Sequence, residues 1–288
     1  MVYVRNNLWQ ALYHLCKADE ARILWIDALC INQDDMSERN HQVTQMGRVY
    51  ESSVCVVAWL GVHDDSSRIA MEFIQTFDTE ASPIVYHWRL DDSSIDSIAV
   101  LCEREYWTRL WIIQELVMAP KVTLQCGDFC VSWVQLSGLL EGFVPVALFM
   151  MGPSQSAVEN YKEALKLRRN NLSRPANCMA RTLSREREIV HHLAQRRPLI
   201  DLCIGYGLAH CEDSRDGIFG LLAFTYECCQ ESVAVDYSSS LSDVSRRLLY
   251  HKHTNNVSFQ EGHKLRILRV MLGVSREDLN DTGFLEAC

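Results

Sequence analysis

The sequence has no apolar run of the length that a membrane helix needs, which is about 18 residues. Its longest apolar stretches, VCVVAWLGV (54–62) and GFVPVALFMMG (142–152), are strand-sized or interrupted by glycine and proline. The opening segment MVYVRNNLWQ lacks the basic and then apolar order of a secretory signal. We therefore expect a cytoplasmic protein without a membrane span.

An excess of basic residues is also absent. The chain has 28 Lys and Arg against 37 Asp and Glu, which gives a net charge of -9. Because nucleic acid binding depends on a positive surface, this balance argues against a general nucleic acid binder. A glycine-rich GxGxxG loop is missing as well, so any nucleotide would have to be held by other means.

The 12 cysteines do not have the spacing of a zinc finger. Most lie in apolar runs, such as Cys55 in SVCVVAW, where a thiol behaves as a small core side chain. Cys126 and Cys130 flank a Gly-Asp turn, and Cys228 and Cys229 are adjacent, but neither pair has a second pair at ligand spacing. We predict reduced structural cysteines and no metal site, with metal or redox use as the alternative.

Three short apolar segments predict strands of a parallel sheet. They are Ile23–Ile26, SVCVVAWLG (53–61) and KVTLQCG (121–127), and their lack of alternation is typical of strands buried on both faces. Between the first two, Asp35 and Glu38 have the spacing of a capping box, which predicts the start of a helix. Strand, helix and strand within about 40 residues indicate a right-handed βαβ unit.

Helical periodicity accounts for most of the remaining chain. A loop is predicted at residues 79–94, and the helix that follows it is expected to break near Tyr106 and Trp107. The helix that Asp35 begins is expected to bury Val43, Met46, Val49 and Tyr50. Helices are predicted at residues 6–18, 35–50, 63–80, 95–118, 156–171 and 182–209.

The first candidate site residues follow the first predicted strand. In a parallel α/β sheet, ligands bind beyond the carboxyl ends of the strands, and Asp27 lies at such an end. Asn32 and Gln33, in the loop after it, carry donors and acceptors for a polar ligand. The structural alternative is that Asp27 caps a turn while Asn32 and Gln33 satisfy backbone groups of the loop. The sequence alone leaves both alternatives open.

A second candidate lies in the apolar helical segment RLWIIQEL. Glu115 follows Trp111 by four residues, so both lie on one face of the helix. A carboxylate among apolar neighbours is paired, shifted to a higher pKa by desolvation, or exposed to a cavity, and Arg104 and Arg109 are the nearest basic partners in sequence. Gln114 points away from that face, and we predict a structural role for it.

Several of these segments together resemble the fungal heterokaryon incompatibility (HET) domain. LWIDALCINQ (24–33) is similar to the family motif Leu-Trp-Ile-Asp-x-x-Cys-Ile-Asn-Gln, and RLWIIQE (109–115) is similar to its Arg-x-Trp-x-x-Gln-Glu helix. Between them, Glu38-Arg39, a Met-x-x-Val-Tyr helix end and a Trp-Leu-Gly strand end follow the family order. Downstream, DSRDGIFGLLAF (213–224) resembles an Asp-x-Arg-Asp segment of the family, and VDYSSSLSDV (235–244) its Asp-Tyr segment. The similarity covers roughly residues 5–250.

The resemblance implies a protein that triggers cell death when fungal cells of unlike genotype fuse, acting by self-association or through protein partners. The candidate site residues lie in the segments that carry the resemblance or beside them. With Glu115 as the candidate catalytic residue, the expected pocket or supporting residues are Asp27, Asn32, Gln33, Glu38, Arg39, Arg109 and Trp111.

A more distant similarity links Trp111 and Glu115 to the Trp-x-x-x-Glu signature of Toll/interleukin receptor (TIR) domains. It implies an α/β fold with a flavodoxin-like parallel sheet flanked by helices, and a mostly helical C-terminal half would follow. Many TIR domains cleave NAD with that glutamate, because a carboxylate stabilises the oxocarbenium character of the breaking bond. Under this enzymatic alternative NAD is the substrate, and no cofactor is required.

The expected organisation is a HET (TIR-like) α/β domain at residues 1–135, a helical extension packed on it at 136–250, and a tail of unknown order at 251–288. HET domains usually open with a strand and a Tyr-x-x-Leu-Ser-Tyr-x-Trp-Gly segment. Here only VYV precedes the first helix, so the first strand is expected to be missing. A truncated inactive paralogue is therefore a third alternative.

Overall fold

The computed structural model describes residues 3–17, 19–78, 91–150, 174–175 and 177–251, without the side chains of 143–150 and of residue 250. The fold is α/β, and the chain divides into two compact units that are each discontinuous in sequence. The sheet unit comprises Met1–Ile23, Val54–Trp107 and Lys121–Glu186, and the helical unit comprises Leu24–Ser53, Thr108–Pro120 and Arg187–Cys288.

Helices predominate among the described residues, and they are numbered here in chain order. They are α1 (Asn6–Leu15), α2 (Asp27–Cys30), α3 (Met36–Glu51), α4 (Asp65–Gln75), α5 (Asp92–Cys102), α6 (Ile112–Met118), α7 (Trp133–Met150), α8 (Met179–His191), α9 (Leu199–Tyr206), α10 (Asp216–Phe219), α11 (Glu227–Ser232) and α12 (Leu241–Tyr250), with short 3-10 helices at Glu105–Thr108 and Leu222–Phe224. None of them, within the residues described, is both long and apolar enough to cross a membrane.

The sheet unit contains a three-stranded mixed sheet. Strands β1 (Val56–Trp59) and β2 (Val122–Cys126) pair in parallel, and β3 (Phe129–Ser132) pairs antiparallel with β2. Gly127 lies in the tight turn between β2 and β3 with a φ of 54°, a left-handed conformation that glycine adopts without strain.

Two helices of the sheet unit begin at a side-chain cap. Asp64 and Ser67 form a reciprocal capping box at the start of α4, and Asp91 accepts from the backbone of Ser94 at the start of α5. Both helices pack against each other through side chains that are fully buried. These side chains include Met71, Ile74, Ile95 and Ile98.

The helical unit is built around α3, which packs against α6 and against the 3-10 helix at Leu222–Phe224. Gly47 lies at the closest approach: a Cβ built on it would lie 2.5 Å from the Cβ of Ala223. Large apolar side chains such as Phe219 and Phe224 are almost fully buried in this unit. A small residue at position 47 is therefore required for α3 to pack at this distance.

Several elements predicted from the sequence are confirmed. β1 and β2 lie within the predicted segments and pair in parallel. Helix α3 begins after Asp35, as predicted, and the helical segment near residue 95 breaks at the 3-10 helix that contains Tyr106 and Trp107. The capping box is only half formed, because the carboxylate of Glu38 accepts from the backbone of Asn32 instead.

The strand predicted at Ile23–Ile26 is wrong, and with it the βαβ unit that the strand would begin. These residues form no strand; Ile23 is fully exposed, and helix α2 follows directly. An apolar run becomes a strand only where a neighbouring strand supplies hydrogen bonds. The sheet is also mixed rather than wholly parallel, because β3, which was not predicted, pairs antiparallel with β2.

Other predictions stay open. The loop predicted at residues 79–94 lies mostly outside the described residues, and the helix predicted at 156–171 lies wholly outside them. The flavodoxin-like strand order and the domain boundaries at residues 135 and 250 stay predictions.

Gly47→Ala is expected to lower the free energy of unfolding by about 1–2 kcal/mol, because overpacking at Ala223 outweighs the gain in helix propensity. Ala223→Gly in the same chain should restore most of this loss. Gly205→Ala in α9 is the control, since no atom lies within 4 Å of its added Cβ. Urea unfolding measures all three, and an unchanged stability of Gly47→Ala would show that α3 packs more loosely than described.

Candidate functional site

A cluster of charged and aromatic side chains joins four separate segments of the helical unit. The segments are α3, the residue before α6, the turn that leads into α10, and the loop before α12. We call these side chains the motif cluster; its members are Arg39, Trp111, Asp213, Arg215, Asp216 and Tyr237.

Asp216 lies at the centre of the motif cluster. Its Oδ1 accepts a hydrogen bond from the Tyr237 hydroxyl, and its Oδ2 accepts from Trp111 Nε1 at 3.3 Å. Arg39 Nη2 lies 3.9 Å from Oδ1. The residue is only 5% exposed, so these groups replace the water that a free carboxylate would bind.

Arg39 connects α3 to the loop that carries Tyr237. Its guanidinium carbon lies 3.6 Å above the centre of the Tyr237 ring, a cation–π geometry, and its Nη2 is 3.5 Å from Asp213 Oδ2. The next residue, Asn40, accepts a hydrogen bond from the Tyr237 backbone N–H at 2.9 Å. Two consecutive residues of α3 therefore hold the same loop residue.

Arg215 fixes the turn and the loop to each other. Its Nε and Nη2 donate to the two oxygens of Asp213 at 2.9 and 2.7 Å, which is the bidentate geometry of a strong ion pair. Its Nη1 donates to the backbone carbonyls of Tyr237 and Ser239. Asp213 also accepts from the Arg215 backbone N–H, so the turn is closed by its own side chain.

The pKa values of the two carboxyls of the motif cluster are shifted in opposite directions. The hydrogen bonds from Arg215 hold the pKa of Asp213 below its usual value. Burial raises the pKa of Asp216, and the hydrogen bond from Tyr237 offsets only part of this effect. Burial, together with the charge of Asp216, also raises the pKa of the Tyr237 hydroxyl, which therefore acts as a donor.

Glu115 lies beside the motif cluster in sequence but has another partner. Its side chain is 16% exposed, and its Oε1 is 4.0 Å from Arg109 Nη2. Trp111 and Glu115 lie on adjacent turns, yet the Trp111 side chain is directed to Asp216. Between them Gln114 is buried and donates to the Gly220 carbonyl at 2.9 Å, which is the structural role predicted for it.

The candidates in and after the first motif, LWIDALCINQ (24–33), make local contacts. Asp27 Oδ1 accepts from the backbone N–H of Ala28, and Asn32 Oδ1 accepts from that of Asp34. Glu38 accepts from the backbone N–H of Asn32, while Gln33 is exposed. These contacts are of the kind that the structural alternative expects, and a role of these residues in ligand binding stays a prediction.

The sequence prediction of the site omitted four members of the motif cluster, Asp213, Arg215, Asp216 and Tyr237. The two downstream segments that resemble the HET family contain all four, so the signal was present in the motifs. What the sequence did not reveal is that these segments meet Arg39 and Trp111 in space.

The motif cluster is chemically suited to holding segments in place. Two arginines face two carboxyls, and both oxygens of Asp216 are occupied by donors from the protein. A carboxyl in that state is poorly placed to exchange a proton with a ligand. Glu115, partly exposed beside a largely exposed arginine, is the better candidate for contact with a ligand.

Comparison with known proteins adds three findings. Residues 1–115 match the model of the family described as "Heterokaryon incompatibility protein (HET)". The chain is similar to heterokaryon incompatibility protein 6, OR allele, of Neurospora crassa, with 25% identity over 290 residues. That similarity covers 85% of this chain but only 41% of the relative, so the chain spans about two fifths of the relative's length. No solved structure matches the chain significantly.

Asp216→Asn and Asp213→Asn are expected to change the pH dependence of stability in opposite directions. Because the folded-state pKa of Asp216 is raised, its carboxyl costs stability as pH rises above the unfolded value of about 3.9. The Asp216→Asn variant should therefore gain stability relative to the parent as pH rises from about 3.9 to the raised folded-state pKa of Asp216. The lowered pKa of Asp213 stabilises the fold above about pH 3.9, a gain that is lost as pH falls through its folded pKa.

Urea unfolding of both variants and the parent, across a pH series, measures the difference. The expected result is a relative stability that rises with pH for Asp216→Asn and falls with pH for Asp213→Asn. Parallel curves for the two variants would contradict the described environments.

Proposed function

We propose that this chain is a heterokaryon incompatibility (HET) domain protein and that it acts in fungal heterokaryon incompatibility. The match of residues 1–115 to the HET family carries this proposal. It is supported by the similarity to the Neurospora crassa protein over most of the chain. The chain would act in the cytoplasm, in non-self recognition and programmed cell death signalling, by self-association or through protein partners.

The motif cluster supports an interaction domain over an enzyme. Four segments that resemble family motifs, separated by as many as 198 residues between Arg39 and Tyr237, meet at one buried carboxyl. Such a network fixes the shape of the surface around it, and a partner or a second copy recognises shape. We infer that the motif residues are needed because they hold this surface.

Expression of the chain in a fungal host is expected to reduce viability, and Asp216→Asn and Trp111→Phe should relieve that effect. Both substitutions remove a hydrogen bond of the motif cluster while preserving most of the side-chain volume. Asp65→Asn and Trp9→Phe are the matched controls, because both parent residues are exposed in the sheet unit, and these variants should remain toxic. Colony viability and soluble protein level are measured together.

Toxicity at parental levels in a soluble Asp216→Asn variant would contradict the proposed role of the motif cluster. The family role would be contradicted by two results together. Expression of the chain leaves viability unchanged, and the expressing strain shows no incompatibility reaction when it is paired with the parent strain.

The NAD-cleaving alternative remains a second proposal because Glu115 is accessible. Its carboxylate is partly exposed and lies near Arg109, a pair that suits contact with a polar ligand such as a ribose and its phosphates. The likeness to TIR domains and their flavodoxin-like strand order belongs to this proposal.

If the chain consumes NAD, Glu115→Gln should abolish both NAD loss and toxicity while the protein stays soluble. Glu188→Gln is the matched control, since Glu188 is exposed on α8. NAD is measured in expressing cells and with purified protein. An unchanged NAD pool in cells that die from the intact chain rules the enzymatic alternative out, and interaction remains.

A further inference from the structure

Two cysteines and a histidine meet in the helical unit, in a place that the motif cluster does not use. Cys228 and Cys229 lie in the first turn of α11, and His251 follows the end of α12. The two helices pack against each other. The thiol sulfurs and an imidazole nitrogen all lie within 4.8 Å of one another.

The donor set selects a class of metal ion. Zn²⁺ binds thiolate sulfur at about 2.3 Å and imidazole nitrogen at about 2.0–2.1 Å, so ligands of one tetrahedral ion lie roughly 3.5–4 Å apart. Small side-chain rotations bring three atoms from within 4.8 Å to that spacing. Mg²⁺ and Ca²⁺ require oxygen ligands and do not suit this set.

The surroundings of the three residues orient the imidazole ring of His251. Ser232 Oγ lies 2.9 Å from His251 Nδ1, a contact that fixes the plane of the ring, as second-shell partners do in metal sites. Cys229 is buried, whereas Cys228 and His251 are partly exposed. Three protein ligands leave the fourth position of a tetrahedral ion for water.

We propose that Cys228, Cys229 and His251 bind one zinc ion in a three-ligand site with water as the fourth ligand. Both thiols give up their protons to solvent on binding, and the imidazole binds in its neutral form. Zinc would tie the end of α12 to α11. The adjacent cysteines and a histidine 22 residues later do not have a zinc-finger spacing, which explains why the sequence favours structural cysteines instead.

Titration of the purified, reduced full chain with Co²⁺ tests the site, because Co²⁺ reports its ligands spectroscopically. We expect one ion per chain, a thiolate-to-metal charge-transfer band in the near ultraviolet, and visible bands of tetrahedral geometry. Zn²⁺ should displace Co²⁺ and raise the melting temperature in proportion to the logarithm of its concentration. Binding without a charge-transfer band, or no binding, would overturn the proposal.

Variants assign the ligands. Cys228→Ser and His251→Asn should each weaken Co²⁺ binding by more than tenfold, whereas Cys16→Ser and Cys30→Ser, at exposed cysteines, should leave it unchanged. Circular dichroism without metal checks that each variant is folded. Ser232→Ala keeps all three ligands and should weaken binding by about 10–100-fold. Equal Co²⁺ affinity in the parent, Cys228→Ser and His251→Asn would show that the ion binds elsewhere.

Discussion

The buried carboxyl of Asp216 is the constraint on which the helical unit depends. A carboxyl removed from water is costly unless donors surround it, and here the donors come from parts of the chain that are distant in sequence. Trp111, the residue before α6, donates to this carboxyl, and so does Tyr237 in the loop before α12. The helical unit must place both donors at the carboxyl at the same time. Because an unpaired buried carboxyl is costly, only a packing that does so is stable.

The same contact explains why the segments that resemble HET motifs are spread along the chain. Arg39 and Asn40 place α3 against the Tyr237 loop, and Arg215 ties that loop to the turn before α10. Each motif supplies one side of a shared network, and none of them forms a site alone. Loss of a single donor would leave a buried polar group without compensation, which is more costly than loss of an exposed ion pair.

Local structure could be predicted from the sequence where local chemistry decides it. Asp35 and the apolar spacing after it identified α3, and short apolar runs identified β1 and β2. The run at Ile23–Ile26 failed because strand formation depends on a partner, which periodicity does not reveal. The Gly-Asp turn after β2 is a local signal for a hairpin and therefore for β3. For the site, Arg39 and Trp111 were predicted, but their partners lie 100 to 200 residues away, and helix periodicity contains no information about such contacts.

A double-mutant cycle between Trp111 and Asp216 tests the central claim most directly. The free energy of unfolding is measured for Trp111→Phe, Asp216→Asn and the double variant. Because the indole N–H donates to the carboxylate, we predict a coupling energy of about 1–2 kcal/mol, within the range found for residues in contact. Additive effects, with no coupling between the two positions, would contradict a motif cluster organised around Asp216.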